Sequence, residues 1–316
     1  MQKPLVILTG PTAVGKTKAS ISLAKAIGGE IISADSMQVY HDMNIGSAKI
    51  RPDEMKGVPH YLVDVLDPDE EFHVVRFQQM AKKAMQQIYE NGHIPIVVGG
   101  TGFYIQALLY DIDFTQNDED TDYRNKLEAL AAAKGNAFLH QMLSEVDAKA
   151  AEEIHENNRK RVIRALEFYH QTGKKISEHN KEERQKQSPY NFAYFVLTDE
   201  RENLYRRIDL RVDQMISEGL VDEVKALKAK GYTKDMVSMQ GLGYKEMLDY
   251  LDGSCTLDEA VYKIKRDTRH FAKRQLTWFR RERDVLWIDK KEMQYDESAI
   301  LDSMLFELKK RHILSE

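Results

Sequence analysis

The spacing of apolar positions changes twice along the chain. Over residues 1–112, short apolar runs alternate with helical periods. Residues 5–8, 30–34 and 94–98 read as buried-type strands, and 61–66 as a further strand stopped by Asp67-Pro68. Residues 16–27 and 77–89 read as helices, closed by Gly28-Gly29 and Asn91-Gly92. From 113 to 190 no strand pattern is evident, and stretches such as 123–133 and 159–169 are helical and densely charged. Strand character returns at 192–197 and 285–288, and a long helix is expected over 259–283. Strands that alternate with helices build parallel sheets covered on both faces. The expected fold is therefore α/β: a parallel sheet flanked by helices from 1–112 and 191–316, with 113–190 as a helical insertion.

The first turn carries chemistry. Gly10-Pro11-Thr12-Ala13-Val14-Gly15-Lys16-Thr17 fits G-x-x-x-x-G-K-[ST], between the first strand and the first helix. Glycines there let backbone amides converge on phosphate oxygens, and the helix N-terminus adds partial positive charge. Lys16 adds a full charge, and the Thr17 hydroxyl is placed to bind magnesium. The bland alternative is a chance match in a tight turn, and the strand and helix on either side count against it. The core is thus expected to be P-loop NTPase-like. This pattern specifies phosphate, not the compound. An ATPase pairs such a loop with an apolar strand ending in aspartate. Residues 94–98 run into Gly99-Gly100 instead, which leaves Asp64 and Asp67 as substitutes. That favours group transfer to a bound acceptor over hydrolysis.

Other residues are expected at the same sheet edge. Asp35 follows the second strand, where a carboxylate either takes a proton from a nucleophile or caps the next segment. Gly99-Gly100-Thr101-Gly102 either admits a ligand closely or is a plain strand-to-helix turn. On the 259–283 helix, Arg266, Arg269, Lys273 and Arg280 form one stripe, with Val261, Ile264, Phe271, Trp278 and Phe279 broadly opposite. A cationic stripe suits a phosphodiester backbone. The alternative is a solvated, ion-paired face, and few acids on this helix offset the bases. Arg159, Lys160, Arg161 and Arg164 form a second cluster with the same two readings. Arg207 and Arg211 share a helix face, where an arginine clamps a diphosphate or pairs with Glu202 or Asp209.

Composition narrows the class. The chain has 316 residues, 42% hydrophobic and 31% charged, with a net charge of −5. A nucleic-acid surface must then be a local patch. The single cysteine, Cys255, excludes a disulfide framework and a cysteine-built zinc site, and fits a reducing, cytoplasmic compartment. The first apolar run is too short for a signal sequence or a membrane span.

Taken in order, several blocks resemble the tRNA dimethylallyltransferase (tRNA isopentenyltransferase) family. They are the 10–17 loop, Ser-Ala-Asp-Ser-Met-Gln-Val-Tyr at 33–40, Asn-Ile-Gly-Ser-Ala-Lys at 44–49 and Gly-Gly-Thr-Gly-Phe-Tyr at 99–104. Arg-Val-Ile-Arg-Ala-Leu-Glu at 161–167, Gly-Leu-Gly-Tyr-Lys-Glu at 241–246 and the 268–280 block continue the match. Ser47 stands where the family usually has threonine, and no proline occurs near Glu156, where one is common. No C-terminal zinc-finger extension of the eukaryotic kind is evident, so the bacterial form is expected.

The resemblance implies transfer of a dimethylallyl group from dimethylallyl diphosphate to the exocyclic amine of the adenosine 3′-adjacent to the anticodon in tRNA, with diphosphate released and Mg2+ as cofactor. It makes Asp35 the general base or amine-orienting group, with Ser36, Met37 and Gln38 lining the tRNA. Thr101 and Arg124 would sit near the acceptor, while residues 10–17 and Arg211 hold the diphosphate. Lys16, Asp35, Thr101 and Arg211 are then the catalytic set. Arg159, Arg161, Arg269, Lys273 and Arg280 join the tRNA contacts. The partners expected are an anticodon stem-loop and the donor, with no membrane, and the chain acting as a monomer. Two rivals use the same loop. A small-molecule kinase would need an adenine pocket for ATP. An RNA-binding NTP switch would need a convincing magnesium aspartate.

Overall fold

The apolar runs become central strands because both faces of the sheet are covered. The computed structural model describes residues 2–114 and 121–314. The chain begins with β1 (Lys3–Thr9), α1 (Lys16–Ile27), β2 (Gly29–Ser33), β3 (His60–Tyr61), α2 (Val74–Glu90), β4 (Ile94–Gly99) and α3 (Gly102–Leu109). Five helices follow: α4 (Thr121–Lys134), α5 (Asn136–Val146), α6 (Ala148–Glu153), α7 (Arg159–Thr172) and α8 (Ile176–Gln185). The last part comprises β5 (Tyr190–Thr198), α9 (Arg201–Ser217), α10 (Leu220–Ala229), α11 (Tyr244–Leu251), α12 (Leu257–Phe279), β6 (Val285–Asp289) and α13 (Glu297–Lys310). Two compact units result, Met1–Leu109 with Ser188–Glu316, and Tyr110–Gln187.

The first unit is a six-stranded sheet, ordered β3-β2-β4-β1-β5-β6, with every pairing parallel. Val6 pairs with Ile96 on one side and Ala193 on the other, which fixes β1 at the centre. Val6, Leu8, Leu23, Ile96, Phe195 and Ile288 belong to one buried cluster. Such strands lack polar alternation because neither face meets water. The chain leaves β1 towards β2 and β4 and returns on its other side as β5. The loop after β1 therefore opens at the carboxyl edge, where open α/β sheets bind ligands.

Two expected elements differ. The 61–66 strand is only His60–Tyr61, because Leu62 and Asp64 adopt φ of 61° and 57°. That left-handed backbone interrupts a ladder, and Leu66 makes a single bridge to Tyr40. The long helix is Leu257–Phe279, so Arg280 is its C-cap. Thr256 and Glu259 start it with a reciprocal capping box.

The second unit contains no strand among its described residues. Its helices enclose their own core of Leu127, Leu139, Leu143, Val162, Ile163 and Leu166. Among the described residues no helix is long and apolar enough to cross a membrane.

Candidate active site

Backbone conformation shapes the phosphate loop. Gly10 and Gly15 have φ of 147° and 101°, and Ala13 stands at 66°. A non-glycine residue in the left-handed region is strained, and such strain gathers where amides must converge. The loop is anchored from far along the chain. The Thr12 N–H and hydroxyl donate to Gln275 Oε1 at 2.8 and 3.1 Å, and Gln275 Nε2 donates to the Gly100 carbonyl at 3.0 Å. One buried amide on α12 thus ties the loop to the turn after β4.

Lys16 lies on its own loop. Its Nζ donates to the carbonyls of Gly10 and Pro11, each at 3.0 Å. Loss of water around the amine lowers its pKa to about 8, the Asp35 carboxylate opposes the shift, and the Arg211 guanidinium adds to it. Arg211 is itself lowered by burial, with Asp35 opposing and Arg207 reinforcing. Lys16, Asp35, Arg207 and Arg211 therefore form one electrostatic group.

Asp35 caps the segment that follows it and uses one carboxylate oxygen to do so. Oδ1 accepts the N–H groups of Met37 and Gln38 at 2.8 and 3.3 Å and so caps the next turn. Oδ2 has no hydrogen-bond partner among the described residues. Thr101 is next to this point, with its N–H donating to Ala34 O at 3.3 Å and its carbonyl accepting from Tyr104 N at 2.9 Å. Gln38 Nε2 donates to Ser47 and Ala48 carbonyls at 3.4 and 3.0 Å, while Ser36 and Met37 stay half-buried. The glycines of 99–102 are set by the protein itself rather than by a ligand. A side chain at Gly99 would strike the Ala34 backbone, at Gly100 the Gln275 amide, and at Gly102 the Trp278 ring.

Glu223, which sequence reasoning missed, organises the neighbouring segment. Its carboxylate accepts the N–H groups of Asn44, Ile45 and Gly46 at 2.9, 2.7 and 3.1 Å, and the Tyr244 hydroxyl at 2.8 Å. Tyr244 Oη in turn accepts Ser47 N–H at 3.1 Å. Asp64, expected as a possible magnesium substitute, is instead ion-paired with Lys49 at 2.6 Å, with His41 Nδ1 3.4 Å away.

Several expected cations are already paired. Arg269 Nη1 donates to both Asp209 oxygens at 2.6 and 2.8 Å, and Arg266 pairs with Asp267 from 2.8 Å; Lys265, outside the expected stripe, pairs with Asp213 at 2.5 Å. The expectation that few acids offset this helix fails because α9 supplies Asp209 and Asp213. Asp209 is thereby unavailable to Arg207 or Arg211, and Arg207 instead faces Asp199 at 4.0 Å. Lys273 and Arg280 are exposed without an ion-pair partner among the described residues. Lys273 shares a cavity of about 400 Å³ with His270, Arg274, Thr277, Trp278 and Arg281. In the second unit Arg124 makes a two-pronged pair with Glu167, both bonds at 2.8 Å, and Arg159 pairs with Glu128 at 3.1 Å. Arg161 is exposed.

A parallel sheet with a glycine-bent, cation-lined loop at its carboxyl edge is a P-loop NTPase-like fold. The family model described as IPP transferase matches residues 38–282. The chain belongs to that family. It is 62% identical over 312 residues to the tRNA dimethylallyltransferase of Lachnoclostridium phytofermentans, spanning 99% of each chain. It is 52% identical over 296 residues to that of Acetivibrio thermocellus, spanning 94% of this chain and 95% of the relative. The crystal structure of the full-length tRNA isopentenylpyrophosphate transferase from Bacillus halodurans superposes with a TM-score of 0.74 at 46% identity, covering 99% of this chain and 98% of that one. A eukaryotic dimethylallyltransferase acting on tRNA gives 0.80 at 32% identity, over 91% of this chain and 74% of that one. The expected family, its bacterial form and the P-loop NTPase-like fold agree with these relatives.

Proposed function

We propose that this protein transfers a dimethylallyl group from dimethylallyl diphosphate to the exocyclic amine of the adenosine 3′-adjacent to the anticodon of tRNA. The observation that carries this reading is one electrostatic group in which the phosphate-loop Lys16 and Arg211, with Arg207 beside Arg211, adjoin a carboxylate with an uncommitted oxygen. The adenosine amine is a poor nucleophile because its lone pair is delocalised into the ring. As its nitrogen bonds to the prenyl carbon, Asp35 Oδ2 takes up the proton. The carbon–oxygen bond to the diphosphate breaks, and charge grows on the leaving group. Lys16 exchanges its two loop carbonyls for that anion, and Arg211 holds it from α9. Charge-directed donors stabilise most where charge develops.

Magnesium would be held at this edge by the Thr17 hydroxyl. The described residues contain no group of three His, Cys, Asp or Glu side chains able to hold a metal. The Thr17 hydroxyl is exposed at the start of α1. Magnesium takes few protein oxygens and fills its shell from phosphate and water. When bound, it supplies neutralisation of the leaving diphosphate. Ser36, Met37, Gln38 and Thr101 would line the flipped-out base, and Lys273 and Arg280 the RNA backbone. Of the second unit's cluster the exposed Arg161 would contact RNA, whereas Arg124 and Arg159 are committed to Glu167 and Glu128. The protein would act as a monomer in the cytoplasm.

The test is purified protein with labelled dimethylallyl diphosphate and an anticodon stem-loop carrying adenosine after the anticodon. Label should pass to the RNA with release of diphosphate. Consumption of ATP with no prenylated RNA would instead make the protein a kinase.

A further inference from the structure

Two cations occupy the space that a side chain at Gly15 would fill. A Cβ there would lie 3.2 Å from Lys290 Nζ and 3.4 Å from an Arg207 guanidinium nitrogen. They come from different parts of the chain, Arg207 from the middle of α9 and Lys290 from the residue after β6. The sheet fixes the root of Lys290, whose N–H donates to the Thr198 carbonyl at 3.0 Å.

Neither cation is well compensated. The Lys290 side chain is only 7% exposed, and its Nζ makes no hydrogen bond among the described residues. Its carboxylate within ion-pair range is Glu297 at 3.6 Å, which is 34% exposed and shared with Lys18 at 3.7 Å. Arg207 has the buried Asp199 Oδ2 at 4.0 Å, beyond hydrogen-bond reach, and that oxygen accepts no hydrogen bond. Like charges brought together repel, partly screened here by the 39% exposure of Arg207, and the ammonium of a largely buried lysine that makes no hydrogen bond is unfavourable. The loop amides and the α1 N-terminus raise the local potential further. A lysine present only for packing would be matched to a carboxylate, as Arg124 is. An anion on the loop relieves the whole arrangement.

We propose that Lys290 is a further binding residue of the diphosphate site, its ammonium contacting phosphate oxygens on the Gly15 side of the loop with Arg207 beside it. This rests on the reading that the loop takes a diphosphate. Lys290 then serves both to bind the donor and to retain the leaving group as charge develops on it.

The experiment measures inorganic diphosphate binding by calorimetry, and transfer kinetics with dimethylallyl diphosphate and the stem-loop, for wild type, Lys290→Met, Lys290→Arg and Glu297→Gln. Losing one charge-assisted bond to the anion should weaken diphosphate binding by roughly 10- to 100-fold in Lys290→Met, with a higher KM for the donor and a smaller fall in kcat. Lys290→Arg should restore most of the affinity. Glu297→Gln, at a partly exposed site, removes the competing carboxylate, so affinity should hold or tighten. Wild-type affinity in Lys290→Met overturns the proposal, as does a Glu297→Gln variant weakened as much as Lys290→Met, since the pair is then merely structural. A wild type that binds no inorganic diphosphate overturns this proposal, whereas a wild type that passes no label to the stem-loop overturns the transferase reading.

Discussion

The sheet edge and the second unit both present arginine and lysine clusters in sequence, yet fold to opposite electrostatic outcomes. In the second unit Arg124 is matched by the buried Glu167 through two 2.8 Å bonds, and Arg159 by Glu128. At the sheet edge Lys16 rests on carbonyls, Arg207 stands 4.0 Å from its carboxylate, and Lys290 has no hydrogen bond among the described residues. Charge that is satisfied within the protein holds it together; charge left in excess around a bent loop is available to a ligand. A run of basic residues in sequence does not distinguish these cases, because the deciding carboxylates come from elsewhere in the chain.

The largest expected effect is at Asp35. Asp35→Asn keeps an acceptor for the Met37 N–H but loses the base. Single-turnover transfer to the stem-loop should fall by about 10²–10⁴-fold, the usual worth of a positioned acid–base group, while donor binding changes little. Wild-type turnover would reduce Asp35 to the cap of its turn.

Lys16→Ala comes next. Removal of one preorganised donor to developing charge typically costs about 10²–10³-fold in kcat, and far-UV circular dichroism should show the fold intact. Lys16 also predicts a pH signature. With a pKa of about 8 in the ligand-free protein, its charge is lost as pH rises through 8, so diphosphate affinity should decline above that point and binding should take up a proton. The stability effect has the opposite sense. Between 8 and the ordinary 10.5 the unfolded chain holds more protons, so ligand-free stability gains with rising pH, and the cost of the desolvated amine is complete below 8. Both trends should vanish in Lys16→Ala. A diphosphate affinity flat from pH 7 to 10 in wild type would remove Lys16 from the anion site.

Glu167→Gln tests the other side of the contrast. It should lower stability, since Glu167 is buried, but only by about 1–2 kcal/mol because Arg124 is half in solvent. Denaturant melts measure this. If transfer chemistry collapses while the melt is unchanged, the second unit's ion pair is not the structural element described above.

Local features were legible in the sequence. The β1–loop–α1 unit follows from an apolar run, a glycine pattern and a helical period within 25 residues of each other. β3 was overread because no composition signal marks the left-handed backbone at Leu62 and Asp64. Asp35 reads in sequence as either a cap or a base, and the structure shows the cap, made with one of its two carboxylate oxygens. Gln275, Glu223 and Lys290 were invisible as site residues. Gln275 reaches a partner 263 positions away and Glu223 reaches Asn44 across 179, distances over which periodicity says nothing. A polar residue on the buried side of α12 was the one available hint for Gln275.

The smallest effect concerns α12, and it separates two residues that the stripe treats alike. Arg269 is committed to Asp209 through two short bonds, whereas Lys273 is exposed and has no ion-pair partner among the described residues. A cation that neutralises an RNA phosphate releases a counterion, so each contact adds to the salt dependence of binding. Lys273→Ala should therefore reduce the slope of log affinity against log salt by roughly 0.7–0.9, with little change in melting temperature. Arg269→Ala should do the reverse, leaving the slope almost intact and lowering the melting temperature, because what it loses is the tie between α12 and α9. Stem-loop binding measured across a salt series for both variants decides the matter. If Arg269→Ala flattens the slope and Lys273→Ala does not, Asp209 gives up its arginine to the RNA and the contrast between satisfied and available charge fails on this helix.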